Sequence, residues 1–577
     1  MPIAQTASST GQRPLRLWPG VAAVALQWFL WLVFPVLVPG TTGGYISVFG
    51  GLIAGLLVIV WWLFFSRAAW LERLGAIALM VVASFATRPF LDVSVATAGM
   101  GMLQPIYSIP VFCLALVVWA ALTRRLSNNA RWATLVATIV VAAGGWALVR
   151  SNGTFGSSTD FSFRWSPTPE DRLLASEGEL ATRAAGLPAA VETMEAEWPG
   201  FRGPDRNGVV PGVRIATDWS QSPPVELWRR PLGPGWSSFA VRGDFLYTQE
   251  QRGEDEVVSC YRASTGEPIW RHRDAARFYE SQGGAGPRGT PTLSGGRVYT
   301  FGATGVLNVL DARDGSVVWS RHAASETGVK VPYWGFSGSP LVVDDLVVVA
   351  VAGQLAAYDL ETGDSRWVGP NGGVSYSSPH LLRLDGVSQI LLTSEAGVVS
   401  VAPTDGTVLW EHDWPGYPIV QPALTADGDV LVSANESAGI RRLTVEREAS
   451  GWMVEERWTS IRLKPYFNDF VVHEGHAYGF DGSRLASIDI ATGERDWKGG
   501  RYGQGQLVLL ADQDLLLVVS EQGDLALVSA RPDGFSELAR MPAMDGKTWN
   551  HPVVVGDRLL VRNGEEMVAY RLPGVRG

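Results

Sequence analysis

The order of apolar and polar positions divides the chain into two parts. The first 150 residues contain five apolar stretches separated by short polar loops, at 17–39, 45–65, 70–87, 100–122 and 132–149. Each stretch is long enough, or nearly so, to cross a hydrocarbon core of about 30 Å at about 1.5 Å per residue. The pattern predicts an all-α bundle of five transmembrane helices over residues 1–150.

Short apolar strands alternate with turns after residue 198, and the pattern repeats. Successive closing tryptophans up to Trp410 lie 49, 48 and 43 residues apart. A period of about 40 to 50 residues built from strands and turns is typical of a β-propeller. Five repeats close on a glycine, three variable residues and a tryptophan: Gly266–Trp270, Gly315–Trp319, Gly363–Trp367, Gly406–Trp410 and Gly493–Trp497.

The repeats give the number of blades. Seven of them follow one another, at 236–273, 289–322, 337–369, 377–413, 421–459, 468–499 and 505–540. Residues 551–570 then form a repeat without its last strand, and an isolated strand near 225–230 can complete it. We therefore predict an all-β eight-bladed propeller over residues 198–577, with a seven-bladed ring as the alternative.

Charge and cysteine content narrow the classes of function. Residues 1–150 carry a net charge of about +7 and the remainder about −17. Nucleic acid binding requires a concentrated basic face, so the acidic C-terminal part excludes it. Cys113 lies in an apolar stretch and Cys260 in a predicted strand, so we expect no disulfide between them.

The arginines predict how the chain crosses the membrane. Two arginines precede the first helix, two lie in the loop after the second and three in the loop after the fourth. The loop after the first has no charge, and the loop after the third has only Arg88 with Asp92. This distribution places the N-terminus in the cytoplasm and, after five spans, the propeller in the periplasm of a bacterial inner-membrane protein. The apolar cores contain no charged residue, which favours an anchor over a transporter. Residues 151–197 read as a polar linker with one short helix starting near Thr168.

The recurrent Ala/Asp-x-x-Thr/Asp-Gly-x-x-x-Trp phrase resembles the pyrroloquinoline quinone (PQQ) repeat family of propellers, as does the segment from Trp198 to Pro204. The resemblance covers residues 198–577 and implies that each tryptophan docks between neighbouring blades. The family contains quinoprotein dehydrogenases and a non-enzymatic lipoprotein that supports outer-membrane β-barrel assembly. Five helices followed by such a propeller also resemble the layout of membrane-bound quinoprotein glucose dehydrogenase.

Propellers bind ligands at the mouth of the central channel, where each inner strand begins. Asp469 is the only acid at these positions and is therefore the candidate catalytic general base. The resemblance to dehydrogenases implies a Ca²⁺ site, for which Asn468 and Asp469 are the candidate metal ligands. The predicted cofactor-binding ring consists of aromatic residues, amides and one cation: Trp236, Arg288, Trp334, Tyr376, Gln421, Asn468, Gln504, Trp549 and Asn550.

The same side chains have a structural interpretation, in which the amides satisfy turn backbone groups and the aromatic rings fill the channel. The ring offers no glutamate for Ca²⁺, and the chain lacks the adjacent cysteine pair of the alcohol-oxidising branch. His473-Glu474-Gly475-His476 similarly favours a surface hairpin over a metal site.

Two functions follow from these observations. The favoured one is a membrane-anchored periplasmic binding or scaffold module with a protein partner in the envelope. The alternative is a PQQ- and Ca²⁺-dependent dehydrogenase that oxidises an alcohol or sugar and passes electrons to membrane quinone. A small molecule bound at the channel mouth is compatible with either function.

Overall fold

The computed structural model describes residues 15–38, 41–155, 158–176, 194–435 and 437–574. The chain forms two compact units. The first comprises residues up to Ser166 together with Glu280–Gly283, and the second comprises Pro167–Tyr279 and Gly284–Gly577.

Five helices of the first unit are long and apolar enough to cross a membrane, as the apolar stretches predict. A short helix, Val93–Ala96, follows the third of them. After the fifth, Val149–Phe155 and Ser158–Phe163 pair as an antiparallel hairpin, in a stretch where the sequence predicts only a linker after residue 150. The five long helices are Trp18–Leu37, Gly43–Phe65, Trp70–Phe90, Leu103–Leu122 and Asn128–Leu148.

Polar side chains inside this bundle are paired with neighbouring helices. Arg131 of the fifth helix donates two hydrogen bonds of 3.0 Å to the Glu72 carboxylate of the third, and both residues are buried. Gln27 Nε2 donates to the carbonyl of Gly51 at 3.1 Å. These hydrogen bonds give the buried Arg131 and Glu72 side chains and the Gln27 amide N–H partners within the bundle.

The second unit contains eight sheets built on the same antiparallel four-stranded pattern, which we number as blades 1 to 8. Blades 1 to 4 consist of Ala240–Arg242, Phe245–Arg252, Asp255–Arg262 and Pro268–Asp274; Thr292–Ser294, Arg297–Phe301, Val306–Asp311 and Val317–His322; Leu341–Val343, Leu346–Val351, Gln354–Asp359 and Ser365–Asn371; and His380–Leu384, Val387–Thr393, Gly397–Val401 and Val408–Asp413. Blades 5 to 8 consist of Ala423–Leu424, Val430–Val432, Ile440–Glu448 and Gly451–Ser460; Val471–His473, His476–Asp481, Arg484–Asp489 and Arg495–Gly499; Gln506–Leu510, Leu515–Val519, Asp524–Ser529 and Glu537–Pro542; and Val553–Val555, Arg558–Arg562, Glu566–Arg571 and Val225–Pro231.

Blade 8 confirms the predicted eight-bladed ring and the predicted closure. Its outer strand, Val225–Pro231, pairs antiparallel with Glu566–Arg571, so the two ends of the propeller share one sheet. The fully buried Arg562 links this blade to blade 1, because its Nη1 donates to Thr248 Oγ1 at 2.6 Å and its Nη2 to the carbonyl of Gly233 at 3.1 Å. Closure places the first and the last segments of the propeller in one sheet, so the strand Val225–Pro231 does not remain isolated.

Neighbouring blades are joined by the repeated tryptophans. In six blades the indole N–H donates to a backbone carbonyl of the next blade, as Trp319 does to Leu360 at 3.2 Å. The indole also packs over the glycine in the turn of the next blade. A Cβ added to Gly363, for example, would lie 2.5 Å from Trp319. Blade 5 lacks that glycine, and Trp410 instead donates to Gln389 of its own blade at 2.7 Å.

The region before the ring contains a helix, Pro169–Ser176, at the position where the sequence predicts one. Thr168 caps it by accepting the N–H of Asp171 at 2.8 Å. Residues 177–193 of the predicted linker lie outside the described residues. Further short elements of the second unit are the helix Ala323–Thr327 and the strand Val209–Val210, which pairs in parallel with the first strand of blade 7.

Candidate functional site

Aromatic rings border the channel where the inner strands begin, and we call this set the aromatic arc. Trp334 lies 4.8 Å from Tyr376 and 6.3 Å from Tyr466, measured between ring centroids. Trp549 lies 4.9 Å from Trp236, and Lys547 Nζ lies 4.2 Å from the Trp549 ring. The structure thus brings the four sequence-predicted aromatic residues into one region. The arc comprises Tyr333, Trp334, Tyr376, Tyr466, Phe467, Trp549 and Trp236.

Polar side chains form a second set deeper along the inner strands, which we call the inner ring. Each lies two residues before the first strand of its blade. The backbone N–H of Ser238 donates to Thr290 of the next blade at 2.9 Å, and that of Thr290 donates to Ser339 at 2.9 Å. The inner ring therefore ties successive blades together around the channel. Its members are Ser238, Thr290, Ser339, Ser378, Gln421, Asp469 and His551.

Asp469 occupies the inner-ring position of blade 6, with its side chain 3% exposed. Its Oδ1 accepts the N–H of Gln421 at 2.6 Å, as the hydroxyl groups do elsewhere in the ring, and lies 3.4 Å from Arg202 Nη1. Its Oδ2 lies 3.4 Å from His551 Nε2. Burial alone would raise the pKa of this carboxyl, but Arg202, His551 and the Gln421 amide hold it below its ordinary value.

Two arginines reach this region from the segment that precedes the propeller, residues 198–210, which we call the lead-in segment. Arg202 Nη2 donates to the carbonyl of Phe470 in blade 6 at 2.6 Å. Arg206 Nη1 donates to the carbonyl of Pro340 in blade 3 at 2.9 Å. Both side chains are buried, so the lead-in segment connects blades on different sides of the channel.

Two imidazoles face these charges. Burial, together with the charges of Arg206 and Arg202, lowers the pKa of His380 to about 3. Burial also lowers the pKa of His551, although Asp469 opposes that shift. Both imidazoles are therefore neutral at neutral pH. Burial lowers the pKa of Arg206 to about 10, which leaves it protonated.

The predicted metal ligands do not have the surroundings that Ca²⁺ requires. Calcium takes about six to eight oxygen ligands. The Asp469 carboxylate faces a guanidinium and an amide N–H instead. Asn468 Oδ1 accepts the N–H of Tyr466 at 3.1 Å, and its Nδ2 donates to Gln504 Oε1 at 3.4 Å. This donor set does not fit Ca²⁺, and we derive no chemistry through that ion or PQQ.

The remaining predicted cofactor-binding residues bind parts of the propeller itself. Arg288, predicted to bind a cofactor, donates to the backbone carbonyls of Gly286 and Gly284 at 2.6 and 2.9 Å. Asn550 Nδ2 donates to the carbonyl of Ser237 at 2.7 Å. The Gln504 N–H donates to Glu521 at 3.2 Å. These contacts match the structural interpretation of the polar residues.

Sequence reasoning missed the partners of Asp469. Arg202 lies in the phrase that supports the family resemblance, yet nothing local indicates that its side chain reaches blade 6. The sequence does not identify His380 and His551 as channel residues. A signal for the inner ring was present, because a polar residue followed by proline precedes the first strand in several blades: Thr290-Pro291, Ser339-Pro340, Ser378-Pro379, Gln421-Pro422 and His551-Pro552.

The two histidines of the His473–His476 hairpin bind different acids. His473 Nε2 lies 2.9 Å from Asp514, and His476 Nδ1 lies 2.8 Å from Asp496. His473, Glu474 and Asp514 place one ligand atom each within 4.8 Å of one another. Asp514 also contacts Arg531 at 3.3 Å, so a cation already neutralises this group.

The chain is similar to known propellers of two kinds. It is 22% identical over 362 residues to the outer membrane protein assembly factor BamB of Yersinia pestis (59% of this chain, 77% of that protein) and 24% identical over 372 residues to that of Burkholderia pseudomallei (58% and 88%). Solved structures include BamB from Moraxella catarrhalis, with TM-score 0.44 and 16% identity over 61% of this chain and 99% of that one. They also include quinohemoprotein alcohol dehydrogenase from Comamonas testosteroni, with TM-score 0.49 and 14% identity over 67% and 84%.

One family assignment covers more than half of the chain. The sequence model of the family described as "Outer membrane protein assembly factor BamB" matches residues 219–388 and 394–573, which together contain most of the propeller. The matched residues include the glycine–tryptophan turns that join the blades. The chain therefore belongs to this family of PQQ-repeat propellers, and it carries five candidate membrane-spanning helices in addition.

Proposed function

We propose that this protein is a membrane-anchored scaffold of the bacterial envelope, whose propeller binds a protein partner and catalyses no redox reaction. The observation that carries the proposal is that the Asp469 carboxylate is engaged by other groups of the propeller and its lead-in segment. A general base must present a lone pair to its substrate. Asp469 instead accepts the N–H of Gln421 at 2.6 Å and pairs with the buried Arg202.

Membership of the BamB family supports the same proposal. The relatives matched over the propeller are named for outer-membrane protein assembly, and we extend from them only the expectation of a protein partner. Fold alone does not decide between a scaffold and an enzyme, because one propeller architecture hosts both. The surroundings of Asp469 are specific to the site and therefore carry more weight.

We further propose that the anchor lies in the inner membrane, with the N-terminus in the cytoplasm and the propeller in the periplasm. The support is the distribution of arginines among the loops of the five candidate spans.

The aromatic arc is the surface that we assign to the partner. Its members border the channel mouth, and Tyr333 is 53% exposed. Tyrosine and tryptophan contribute large contact areas to protein interfaces and often carry much of the binding energy. Trp236, Trp334, Tyr376 and Trp549 would then contact a protein segment instead of a planar cofactor.

Site-specific photocrosslinking in cells tests this proposal. A benzophenone amino acid replaces Tyr333 in one variant and Asp533 in a control variant. Asp533 is exposed in the turn between the third and fourth strands of blade 7, and this turn faces away from the strand ends that carry the arc. We expect a discrete crosslinked envelope protein from position 333 and none from position 533. Equal crosslinking from both positions, or none, would contradict the assignment.

A further inference from the structure

The centre of the propeller holds more positive than negative charge. The residues concerned, which we call the central cluster, are Arg202, Arg206, His380, Asp469 and His551, and the first four are each at most 8% exposed. Two guanidiniums face one carboxylate in this set. With neutral imidazoles the cluster therefore carries one excess positive charge, and a protonated imidazole would only add to it.

Direct contacts connect the members of the central cluster. Arg202 Nη1 lies 3.4 Å from Asp469 Oδ1 and donates to the carbonyl of Arg206 at 3.5 Å. Arg206 Nη2 donates to the carbonyl of Ser339 in blade 3 at 3.1 Å. His380 begins the first strand of the adjacent blade 4, and the charges of both arginines help to lower its pKa. The two guanidiniums and the His380 imidazole therefore act on one buried region.

Arg206 carries the charge that is not compensated. Its Nη1 and Nη2 donate to the carbonyls of Pro340 and Ser339 at 2.9 and 3.1 Å. Asp469 is the acid whose charge acts on Arg206, and Arg202 already contacts that carboxylate. Carbonyl oxygens satisfy the hydrogen bonds of a guanidinium but carry no net charge. A buried charge without a counter-charge is costly, so this region requires an anion.

Three nitrogen atoms of the central cluster point to the same requirement. Arg202 Nε, Arg206 Nε and His380 Nδ1 are buried, and none has a hydrogen-bond partner among the described residues. A guanidinium Nε–H is always a donor, and an imidazole nitrogen donates in one of its two tautomers. Because buried donors are rarely left unsatisfied, these atoms indicate an acceptor beside the excess charge.

We propose that the central cluster binds one small monovalent inorganic anion of the chloride type. Such an ion cancels the excess charge and accepts charge-assisted hydrogen bonds from the arginine Nε–H groups. Water can accept the same bonds but leaves the charge uncompensated. A dianion such as sulfate would reverse the sign of the buried charge, and a large organic anion would have to reach residues that are at most 8% exposed.

The position of the central cluster gives the anion a structural role. Arg202 and Arg206 belong to the lead-in segment, whereas Asp469 and His380 belong to blades 6 and 4. An anion held between them would fasten the lead-in segment to the ring. Because the site does not exist in the unfolded chain, the anion should stabilise the folded state. The proposed scaffold function does not depend on this ion.

Thermal unfolding of the full chain in detergent tests the inference. Sodium chloride replaces sodium gluconate stepwise, up to about 100 mM at a constant ionic strength of about 0.2 M. We expect a saturable rise in Tm of at least about 2 °C with chloride, and a similar rise with bromide. Arg206→Met removes the excess charge and should abolish the rise. Asp469→Asn removes the only carboxylate of the central cluster and should enlarge the rise.

Arg457→Met is the matched control, since Arg457 pairs with Glu455 at 3.3 Å and both side chains are about half exposed. It should keep the chloride response of the unmodified chain. Equal Tm values in chloride and gluconate, or an equal rise with sulfate, would overturn the inference. A rise that Arg206→Met retains would place the ion elsewhere and overturn it too. If Arg206→Met does not fold, Asp469→Asn decides, because a chloride response no larger than that of the unmodified chain contradicts the site.

Discussion

Arg202 Nη1 lies 3.4 Å from Asp469 Oδ1 in the centre of the propeller, and the two side chains are 2% and 3% exposed. The pair joins the lead-in segment to blade 6 across 267 positions of sequence. A carboxylate without its cation in such a place would carry the full cost of desolvation. This relationship makes Asp469 a structural residue of the inner ring in our account.

Removal of the cation should destabilise the propeller strongly. We expect Arg202→Met to lower the free energy of unfolding by about 3–5 kcal/mol, because it leaves Asp469 buried and unpaired. Arg457→Met is the control: Arg457 pairs with Glu455 at 3.3 Å with both side chains about half exposed, and its loss should cost at most about 1 kcal/mol. Denaturant unfolding of the full chain in detergent measures both.

The double variant Arg202→Met/Asp469→Asn removes the unpaired charge together with its partner. We expect it to recover part of the stability lost in Arg202→Met, because the asparagine is neutral. Purely additive losses from the two substitutions would show that the residues do not interact, and would contradict the structural role of Asp469.

The contact between tryptophan and glycine at each blade junction predicts a difference between two alanine substitutions. Gly363 and Gly386 have similar φ values of +72° and +77°, so alanine is strained at both. At Gly363 the new Cβ would also lie 2.5 Å from Trp319, whereas at Gly386 nothing lies within 4 Å. We expect Gly363→Ala to cost at least about 1 kcal/mol more than Gly386→Ala. Thermal unfolding compares them, and equal losses would refute the packing role.

The propeller fold can be predicted from the sequence because the motif that defines each blade is local. The glycine–tryptophan phrase is local, and it recurs because each Trp must reach the next blade's turn, as Trp319 reaches Leu360. The incomplete repeat at 551–570 required an outer strand, and the isolated strand near 225–230 was the available segment. Closure of the ring could therefore be predicted, because residues 551–570 lack an outer strand and the strand near 225–230 lacks a sheet.

The site could be predicted only in part, for a different physical reason. The sequence predicts Trp334 and Tyr376 at the starts of inner strands, and in the structure their ring centroids lie 4.8 Å apart. The roles of the polar residues depended on contacts between distant segments. The sequence alone makes Asp469 a candidate base. The structure places Arg202 Nη1 3.4 Å from its carboxylate, and no local sequence pattern predicts that pairing.

The buried imidazole of His380 predicts how stability depends on pH. Burial lowers its pKa from 6.5 to about 3, so the unfolded chain binds a proton in this interval that the folded chain does not. The free energy of unfolding therefore has its full value from this group above pH 6.5 and falls as the pH falls toward 3, by about 1.6 kcal/mol between pH 6.5 and 5. We expect His380→Gln to flatten the fall in unfolding free energy between pH 7.5 and 5. An unchanged slope would contradict a buried neutral His380.

The proposed topology predicts which introduced cysteines react with a reagent that cannot cross the inner membrane. The native Cys113 and Cys260 are buried and should react slowly. After permeabilisation of the outer membrane alone, we expect a charged maleimide to label Asp533→Cys in the propeller. Arg124→Cys, between the fourth and fifth helices, should react only after the inner membrane is disrupted. Labelling in the reverse order would invert the orientation.

The central claim is that the channel supports a scaffold and not a quinoprotein reaction. Titration of the full chain in detergent with PQQ and Ca²⁺, followed by isothermal calorimetry, tests it most directly. Because Asp469 is held by Arg202 and the Gln421 amide, we expect no saturable binding up to about 100 µM PQQ in the presence of Ca²⁺. Saturable, Ca²⁺-dependent binding that is lost in Asp469→Asn would contradict the account and support the dehydrogenase instead.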